Sequence, residues 1–306
     1  MAIASNLPGE SPSRNEPIVI GIVNNMPEAA LLSTERQFHN LLSAASRGRV
    51  LQLRHFTLPE LPRSETAHLH IKQRYEDLNE LWADRLDGMI VTGTEPRASE
   101  LADEPYWGSL TKLIDWSADN TLSTVWSCLS AHAAVFHLDG ISRQRLPRKL
   151  FGIFDCVKAS SHRIIEGVPD KWSVPHSRHN NLPEEALVSR GYSVLSRSAE
   201  VGADSFVKNR GSLDVFFQGH PEYEPDTLLR EYRRDVGRFL SGEMSTYPEM
   251  PCGYFNYDAV EALSEFRALA LRNRKTELLQ SFPMARVEKS HSCSSWEEAP
   301  PDSSAR

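Results

Sequence analysis

Residues 124–134 read TVWSCLSAHAA, and this stretch decides how the rest of the chain is interpreted. The apolar residues up to Trp126 are typical of a buried strand, and the small residues after Cys128 are typical of a helix start. A sharp turn between such elements exposes one side chain at a helix N terminus, which favours a thiolate and supplies backbone N–H groups for an oxyanion. Cys128 is therefore a candidate nucleophile, although a structural cysteine packed as a small apolar residue fits the same pattern.

A second pattern lies downstream, where residues 216–223 read FFQGHPEY. His220 directly follows an apolar strand pattern, and Glu222 supplies a carboxylate shortly after it. A nucleophilic thiol needs a general base, and that base needs a carboxylate to hold its tautomer. A capped strand end with a surface glutamate is an alternative for this stretch alone, but together with Cys128 it predicts a Cys-His-Glu triad.

Outside these two stretches, apolar β-branched runs alternate with amphipathic segments. Strands are predicted over 18–23, 50–56, 88–91, 123–127, 150–157, 192–196, 204–207 and 215–218. Helices are predicted from a cap near Thr34 and over 75–86, 105–120, 129–138, 226–240 and 258–279. This alternation predicts an α/β single domain with a mostly parallel central sheet and helices on both faces.

The two ends of the chain differ in composition from the predicted domain. Residues 1–16 are rich in Ser, Pro, Asn and Gly, which predicts a flexible N-terminal arm. Residues 281–306 offer little apolar surface to bury, which predicts a disordered C-terminal tail. The folded domain is therefore expected over 17–280.

Charge and cysteine content argue against several classes of protein. The 306 residues include 34 basic and 41 acidic side chains, a formal charge of −7, so nucleic acid and anionic membranes are not expected as partners. The four cysteines have no CxxC spacing, which argues against a zinc knuckle or a disulfide framework. No secretory signal, spanning segment or dinucleotide-binding motif is visible, so we expect a cytoplasmic protein.

Other histidines and cysteines are weaker candidates. His68 and His70 could face one side of an extended stretch and bind a metal, but no third ligand is nearby, so solvated loop histidines are favoured and no metal site is predicted. His132 follows the Cys128 turn and is interpreted as a packing or surface residue. Cys156 is interpreted as a bystander.

Several short motifs occur in an order that resembles the homoserine O-acyltransferase family, often called homoserine O-succinyltransferases, on the class I glutamine-amidotransferase-like fold. The resemblance extends from about Pro17 to Tyr257. It is carried by Asn-Met-Pro at 25–27, Val-Thr-Gly at 91–93, Tyr-Trp at 106–107, the Cys128 turn, Lys-Leu at 149–150, Pro-His-Ser-Arg at 175–178, Gly-His-Pro-Glu-Tyr at 219–223 and Glu-Tyr-x-Arg-Asp at 231–235. No single motif is specific, but their order is.

The resemblance implies a ping-pong acyl transfer. Cys128 would be the acyl-accepting nucleophile, His220 the base and Glu222 the partner of that base. The thiolate would attack an acyl-CoA thioester, CoA would leave, and the γ-hydroxyl of homoserine would then take the acyl group. The backbone N–H of Leu129 suits the oxyanion of this reaction. Acyl-CoA would be a co-substrate, and no cofactor is expected.

The resemblance also implies residues that bind the substrates. Lys149, Ser177 and Arg234 match positions around the acceptor, and a planar guanidinium suits an amino-acid carboxylate. Arg178 adjoins Ser177 and is a candidate for the same pocket. Arg97 aligns with a position tied to the choice between succinyl and acetyl donors, where its charge favours succinyl.

The expected function is therefore acyl-CoA-dependent O-acylation of homoserine, with succinyl slightly favoured over acetyl, in methionine biosynthesis. Serine or a related hydroxy amino acid is an alternative acceptor. A glutamine-amidotransferase-type hydrolase with the same triad is an alternative activity. The expected partners are small molecules, and a homodimer is allowed. The chain departs from the family pattern at residues 28–30 and over 252–279.

Overall fold

The computed structural model describes residues 16–288 and divides them into two compact units. The first unit holds the residues up to Val125 together with 211–213, and the second holds 126–210 and the residues from Asp214 onward. The predicted arm, apart from residue 16, and the tail from 289 lie outside the described residues. Within residues 16–288, no helix is both long and apolar enough to cross a bilayer.

Strands and helices alternate in the first part of the chain, and strands dominate its middle, which confirms the predicted α/β class. The strands are β1 (Ile18–Val23), β2 (Leu51–Phe56), β3 (Leu86–Val91), β4 (Thr121–Ser127), β5 (Gln144–Lys158), β6 (Lys171–Asn181), β7 (Ser193–Ser198), β8 (Gly202–Asn209) and β9 (Leu213–Phe217). The α-helices are α1 (Glu28–Ala45), α2 (Glu65–Arg74), α3 (Leu78–Leu81), α4 (Trp107–Asn120), α5 (Leu129–Asp139), α6 (Glu184–Ser189), α7 (Thr227–Ser241), α8 (Tyr257–Arg272) and α9 (Met284–Val287).

In the first unit, β1 lies between β2 and β3 and pairs with both in parallel. Ile22 and Val23 are fully buried, as expected for a central strand of a parallel sheet. Two family motifs meet where β1 and β3 end, because the Asn25 backbone N–H donates to Thr92 Oγ1 at 2.8 Å. The Asn25 side chain also donates to the Thr92 carbonyl at 3.2 Å. The Asn-Met-Pro turn is thus fixed at the carboxyl edge of the parallel strands, the edge at which α/β folds bind ligands.

In the second unit, the strand order is β9-β8-β7-β5-β6, and β5 pairs with β6 and β7 in antiparallel fashion, as β7 does with β8. The parallel arrangement expected from the sequence therefore holds for β1–β3, and an antiparallel arrangement follows. Strand β6 was not predicted. It carries Pro175, which has no N–H to donate, and it tolerates this residue because it is an edge strand.

The start of α1 differs from the prediction. The helix begins at Glu28, directly after Pro27, whereas the sequence indicated a cap near Thr34. Thr34 is instead a buried residue inside the helix. A proline with its fixed φ is well suited to the helix N terminus and provides the start signal in place of the hydroxyl cap.

The helix predicted over 75–86 is confirmed only for the single turn of α3 (Leu78–Leu81), and β3 begins at Leu86. Helix α2 precedes α3, ends at Arg74 and begins after Ser64, whose hydroxyl accepts a hydrogen bond from the Ala67 N–H at 3.2 Å. Ser64 provides the usual N-cap, but it lies in a proline-rich stretch that resembles a loop. His68 and His70 are consequently helical rather than extended, and His70 Nε2 lies 2.8 Å from Glu35 Oε1.

The tail predicted from residue 281 does not hold for residues 281–288. Phe282 and Val287 are both buried in a cluster formed mainly by α7 and α8. The Phe282 ring packs edge-on against Phe266, with 5.3 Å between the centroids, and lies 6.2 Å from the ring of Tyr232. Met284 also packs against this cluster, so three apolar side chains attach a segment whose average composition is polar.

Strand β5 contains a glycine at the point where another segment crosses it. The Cys252 N–H donates to the Phe151 carbonyl at 2.8 Å, and the Ile153 N–H donates to the Cys252 carbonyl at 2.9 Å. Gly152, between them, has a φ of +141°, and a Cβ on it would lie 2.2 Å from the Cys252 oxygen. Only glycine allows this close approach of two backbones.

Gly152→Ala should therefore lower the free energy of unfolding by at least about 1–3 kcal/mol, because the added methyl group overlaps backbone atoms. Urea unfolding of the two proteins measures the difference. Gly108→Ala is the matched control, since a Cβ on Gly108 in α4 meets nothing within 4 Å. If Gly152→Ala unfolds at the same urea concentration as the control, the close approach at Cys252 is wrong.

Candidate active site

Cys128 lies between β4 and α5 with φ 53° and ψ −112°, a conformation that costs a non-glycine residue roughly 1–3 kcal/mol. Two sets of hydrogen bonds hold it there. The Cys128 N–H donates to the Phe217 carbonyl at 2.8 Å, and the Cys128 carbonyl accepts from the N–H groups of Ala131 and His132. Leu129 is the first residue of α5, so its N–H has no partner within the helix. The structure thus contains the strained strand-to-helix turn predicted from the sequence.

His220 follows β9 and is held on both its backbone and its ring. Its N–H donates to the Pro175 carbonyl of β6 at 2.8 Å. Its Nδ1 lies 2.9 Å from Glu222 Oε1, and both side chains are more than nine-tenths buried. The Cys128 thiol group is close enough to raise the pKa of the imidazole. Because Nδ1 faces Glu222, Nε2 is the nitrogen available to the thiol.

The charges around His220 favour its protonated form. Burial lowers the pKa of His220, but the Glu222 carboxylate and the Cys128 thiolate raise it more, so the pKa lies well above its ordinary value. An imidazolium between a thiolate and a carboxylate is the charge state from which a cysteine nucleophile attacks. The structure therefore places Cys128 beside the hydrogen-bonded pair of His220 and Glu222, so that the three predicted triad residues interact.

The three predicted acceptor-binding residues also lie together, joined by two carboxylates of α7. Lys149 Nζ lies 3.2 Å from Asp235 Oδ2 and 3.8 Å from Glu231 Oε2. The Ser177 hydroxyl donates to Glu231 Oε2 at 2.5 Å. Arg234 Nε and Nη2 both bind Asp235 Oδ1, at 2.9 and 2.8 Å. Burial raises the pKa of Asp235, but Lys149 and Arg234 together lower it by more than burial raises it. The carboxylate therefore stays charged.

Tyr223 connects the triad to this acceptor cluster of Lys149, Ser177, Glu231, Arg234 and Asp235. Its ring stacks on the His220 imidazole, with centroids 4.3 Å apart and planes 18° from parallel. Its hydroxyl donates to Glu231 Oε1 at 2.5 Å. One aromatic side chain therefore contacts the base on its face and the acceptor cluster at its tip.

Arg97 lies in the first unit, in the loop after β3. Its backbone N–H and that of Ala98 both donate to Glu104 Oε1, at 2.6 and 2.8 Å. Glu104 is buried, whereas Arg97 is exposed. The loop conformation is thus fixed by the carboxylate and leaves the guanidinium at the surface of that unit.

Sequence reasoning missed Gln218, a fully buried amide between β9 and His220. Its Oε1 accepts from the Leu182 N–H at 3.0 Å and from His132 Nε2 at 2.9 Å, and its Nε2 donates to the Ala203 carbonyl at 2.6 Å. The sequence offered one signal for a buried role of Gln218: it is a polar residue at an apolar run and lies close to a candidate base. His132 is buried, as one of the two interpretations held.

Cys156, His176 and Asp204 are buried, and one ligand atom from each lies within 4.8 Å of the others, close enough to share an ion. The proton on His176 argues against this use. Arg178 Nε, which can only donate, lies 3.3 Å from His176 Nδ1, so the neutral ring carries its proton on Nε2. That nitrogen lies 3.3 Å from Asp204 Oδ1. A metal ligand set needs Nε2 without its proton, so this tautomer does not fit one, although among the described residues neither Nε2 nor Asp204 Oδ1 has a hydrogen-bond partner.

The buried state of His132 predicts a pH dependence. Burial is the main cause that lowers its pKa to about 3, so the folded protein keeps this ring neutral. The unfolded chain binds a proton near pH 6.5, and the free energy of unfolding should therefore fall as pH decreases from 6.5 towards 3. The residue contributes up to about 1.4 kcal/mol per pH unit in this range.

Urea unfolding of wild type and His132→Gln between pH 7 and 5 measures this contribution. The stability advantage of the wild type should shrink as pH falls, because only the wild type has this titrating group. His39→Gln, at an exposed position on α1, should show no such trend. A difference between wild type and His132→Gln that stays constant with pH would contradict the neutral buried state.

Comparison with known proteins gives a consistent result. A family model described as homoserine O-succinyltransferase matches residues 10–272. The chain is 47% identical over 280 residues to a homoserine O-succinyltransferase of Methylorubrum extorquens, covering 92% of this chain and 83% of the relative. It is 48% identical over 266 residues to one of Rhodopseudomonas palustris, covering 87% of this chain and 80% of the relative.

A solved structure resembles the fold at low sequence identity. It is a glutamine amidotransferase from Thermotoga maritima, with a TM-score of 0.50 and 14% identity, covering 89% of this chain and 99% of that one. At this identity, the likeness supports the predicted glutamine-amidotransferase-like fold and nothing about activity. The family model and the close relatives cover most of the sequence, and the chain belongs to the homoserine O-succinyltransferase family.

Proposed function

We propose that this protein transfers a succinyl group from succinyl-CoA to the hydroxyl of homoserine through a Cys128 thioester, as a step of methionine biosynthesis in the cytoplasm. The observation that carries the proposal is the contact made by Tyr223, which joins a thiol-based triad to a cluster of paired charges. The names of the relatives supply the identity of the acyl group and of the acceptor.

In the first half-reaction, the Cys128 thiolate attacks the thioester carbon of the donor. The carbonyl oxygen becomes an oxyanion, for which the Leu129 N–H at the N terminus of α5 is a suitable donor. The carbon–sulfur bond to CoA then breaks, and the imidazolium of His220 gives its proton to the departing thiolate. The products are free CoA and succinylated Cys128.

In the second half-reaction, the neutral His220 accepts the proton of the homoserine hydroxyl through Nε2. The hydroxyl oxygen attacks the succinyl carbon, and the bond to Cys128 breaks to regenerate the thiolate. Glu222 holds the ring through Nδ1 at 2.9 Å and stabilises the imidazolium that forms. The side chains return to their starting charge state.

The acceptor cluster suits an amino acid because its charges are already paired. Lys149 and Arg234 face the carboxylates of Glu231 and Asp235. A zwitterion carries one charge of each sign, so its carboxylate can bind the cations and its ammonium group the carboxylates without leaving an unpaired charge. A substrate without the ammonium or the carboxylate group would lack one of these partners.

Purified protein incubated with succinyl-CoA and a panel of hydroxy amino acids tests the proposal. Free CoA and O-succinylhomoserine should appear together with homoserine, and Cys128→Ala should form neither. Serine, threonine and glutamine are the comparison substrates. Hydrolysis of glutamine to glutamate without any use of succinyl-CoA would replace the proposal with an amidotransferase-type activity.

Arg234→Lys should raise the acceptor KM while leaving CoA release in the absence of acceptor unchanged. Lysine keeps the charge but loses the planar fork that binds a carboxylate through two nitrogens, and such sites do not tolerate the exchange well. Arg233→Lys, the exposed neighbour on α7, is the matched control and should behave as wild type. Equal losses in the half-reaction with succinyl-CoA alone would contradict the role of Arg234.

Arg97→Gly should reduce kcat/KM for succinyl-CoA and leave that for acetyl-CoA unchanged. A charge-assisted hydrogen bond to the free succinyl carboxylate is worth about 1.5–3 kcal/mol, a preference of about 10- to 150-fold. Steady-state kinetics with both donors measure it. A succinyl preference that persists in the variant would show that Arg97 does not select the donor.

A further inference from the structure

Arg178 is a buried arginine on β6, with only 4% of its surface exposed. Its Nη1 donates to the Asn180 carbonyl at 2.7 Å and to Asn181 Oδ1 at 2.9 Å, and its Nη2 donates to the Val201 carbonyl at 2.7 Å. All of these acceptors are neutral. Among residues 16–288, no carboxylate forms an ion pair with Arg178. A buried cation without a paired anion is costly, so its retention calls for a compensating negative charge nearby.

The remaining contacts of Arg178 lead towards the triad. Its Nη1 lies 3.5 Å from Gln218 Oε1, the same oxygen that accepts from His132 on α5. Gln218 follows Phe217, whose carbonyl holds the Cys128 N–H. The guanidinium is thus connected through a single amide to the helix that begins at the nucleophile.

The nearest carboxylate is separated from Arg178 by a neutral ring. Arg178 Nε lies 3.3 Å from His176 Nδ1, and His176 Nε2 lies 3.3 Å from Asp204 Oδ1. Because Arg178 fixes the proton on Nε2, the ring carries no charge of its own, and among the described residues neither Nε2 nor Asp204 Oδ1 has a hydrogen-bond partner. Asp204 therefore neutralises the guanidinium only at a distance. Burial lowers the pKa of Arg178, and the negative charges of Cys128 and Asp204 act in the opposite direction.

We infer that Arg178 is a positioning residue for Cys128: its buried, incompletely neutralised charge favours the thiolate form, and its hydrogen bond to Gln218 supports the end of β9, where the Phe217 carbonyl accepts from the Cys128 N–H. This inference rests on the proposed role of Cys128. It assigns to Arg178 a function in forming the acyl-enzyme and none in binding the acceptor.

The alternation of side chains along β6 separates these two functions. Successive residues of a strand point to opposite faces. Ser177 contacts Glu231 in the acceptor cluster, whereas Arg178 and His176 contact the buried network on the other side. Replacement of Arg178 should therefore alter the reactivity of Cys128 and leave the acceptor KM unchanged.

The pH dependence of Cys128 has several contributors. His220, Glu222 and Tyr223 face the nucleophile from the segment after β9, and Arg178 acts from β6. His132, on α5 itself, is neutral down to a pKa of about 3. Asp204 on β8, with His176 on β6 and Cys156 on β5, completes the charged and titratable surroundings of Arg178.

The test compares the pH dependence of Cys128 alkylation by iodoacetamide in full-length variants, followed on the Cys128 peptide by mass spectrometry. Arg178→Met should slow alkylation at pH 7 by roughly 3- to 30-fold and move its profile to higher pH. Asp204→Asn should move the profile in the opposite direction, because it removes the anion that offsets Arg178. Arg178→Lys should move it less than Arg178→Met.

Arg197→Met is the control, since Arg197 lies on β7 and pairs with Glu184 at 3.0 Å. A purely structural role predicts that Arg178→Met and Asp204→Asn change reactivity in the same direction or not at all, and either result overturns the inference. If Arg178→Met does not fold, Asp204→Asn decides alone. An alkylation profile of Asp204→Asn that equals that of the wild type, or that lies at higher pH, overturns the inference. Alkylation uses no acyl-CoA, so profiles with the expected signs in a protein that transfers no succinyl group would uphold Arg178 and reject the proposed function.

Discussion

The hydrogen bond from the Cys128 N–H to the Phe217 carbonyl, 2.8 Å long, is the interaction on which the site depends. It joins the strained turn to the end of β9, the strand that leads directly to His220. A positive φ at a cysteine is unfavourable by itself. This hydrogen bond, together with the first turn of α5, stabilises that backbone conformation. The Pro175 carbonyl of β6 holds the backbone of His220 in turn, so Cys128 and His220 are placed by the backbones of three strands and one helix.

Buried charge is organised around this framework in two groups that share one strand. On one face of β6, Ser177 joins the acceptor cluster, where cations and carboxylates are already paired and a zwitterion can exchange with them. On the other face, Arg178 and Asp204 are separated by the neutral ring of His176, so their mutual neutralisation is incomplete. Under the proposed function, alternation along a single strand separates acceptor binding from activation of the thiol.

Much of the architecture and the triad were predictable from local sequence. Continuous apolar runs indicated β1 and β4, and chemistry-bearing residues directly after such runs indicated Cys128 and His220. Strand β6 was missed because its proline and polar residues break the strand pattern, and α2 was missed because its cap lies among prolines. The roles of Gln218 and Arg178 depend on partners distant in sequence, and a buried polar side chain leaves no periodic signal. The folded domain was expected to end at 280, but it continues to 288 because Phe282, Met284 and Val287 pack against a cluster formed mainly by α7 and α8.

The most direct test of the account is intact-protein mass spectrometry after mixing with succinyl-CoA and no acceptor. The account predicts that the wild type gains the mass of one succinyl group, located on the Cys128 peptide, and that homoserine removes it. Cys128→Ala should gain nothing, and His220→Ala should acylate far more slowly, since loss of a general base costs roughly 10²–10⁴ in rate. An adduct that persists in Cys128→Ala would contradict the account. So would a wild-type protein that forms O-succinylhomoserine without ever carrying a succinyl adduct.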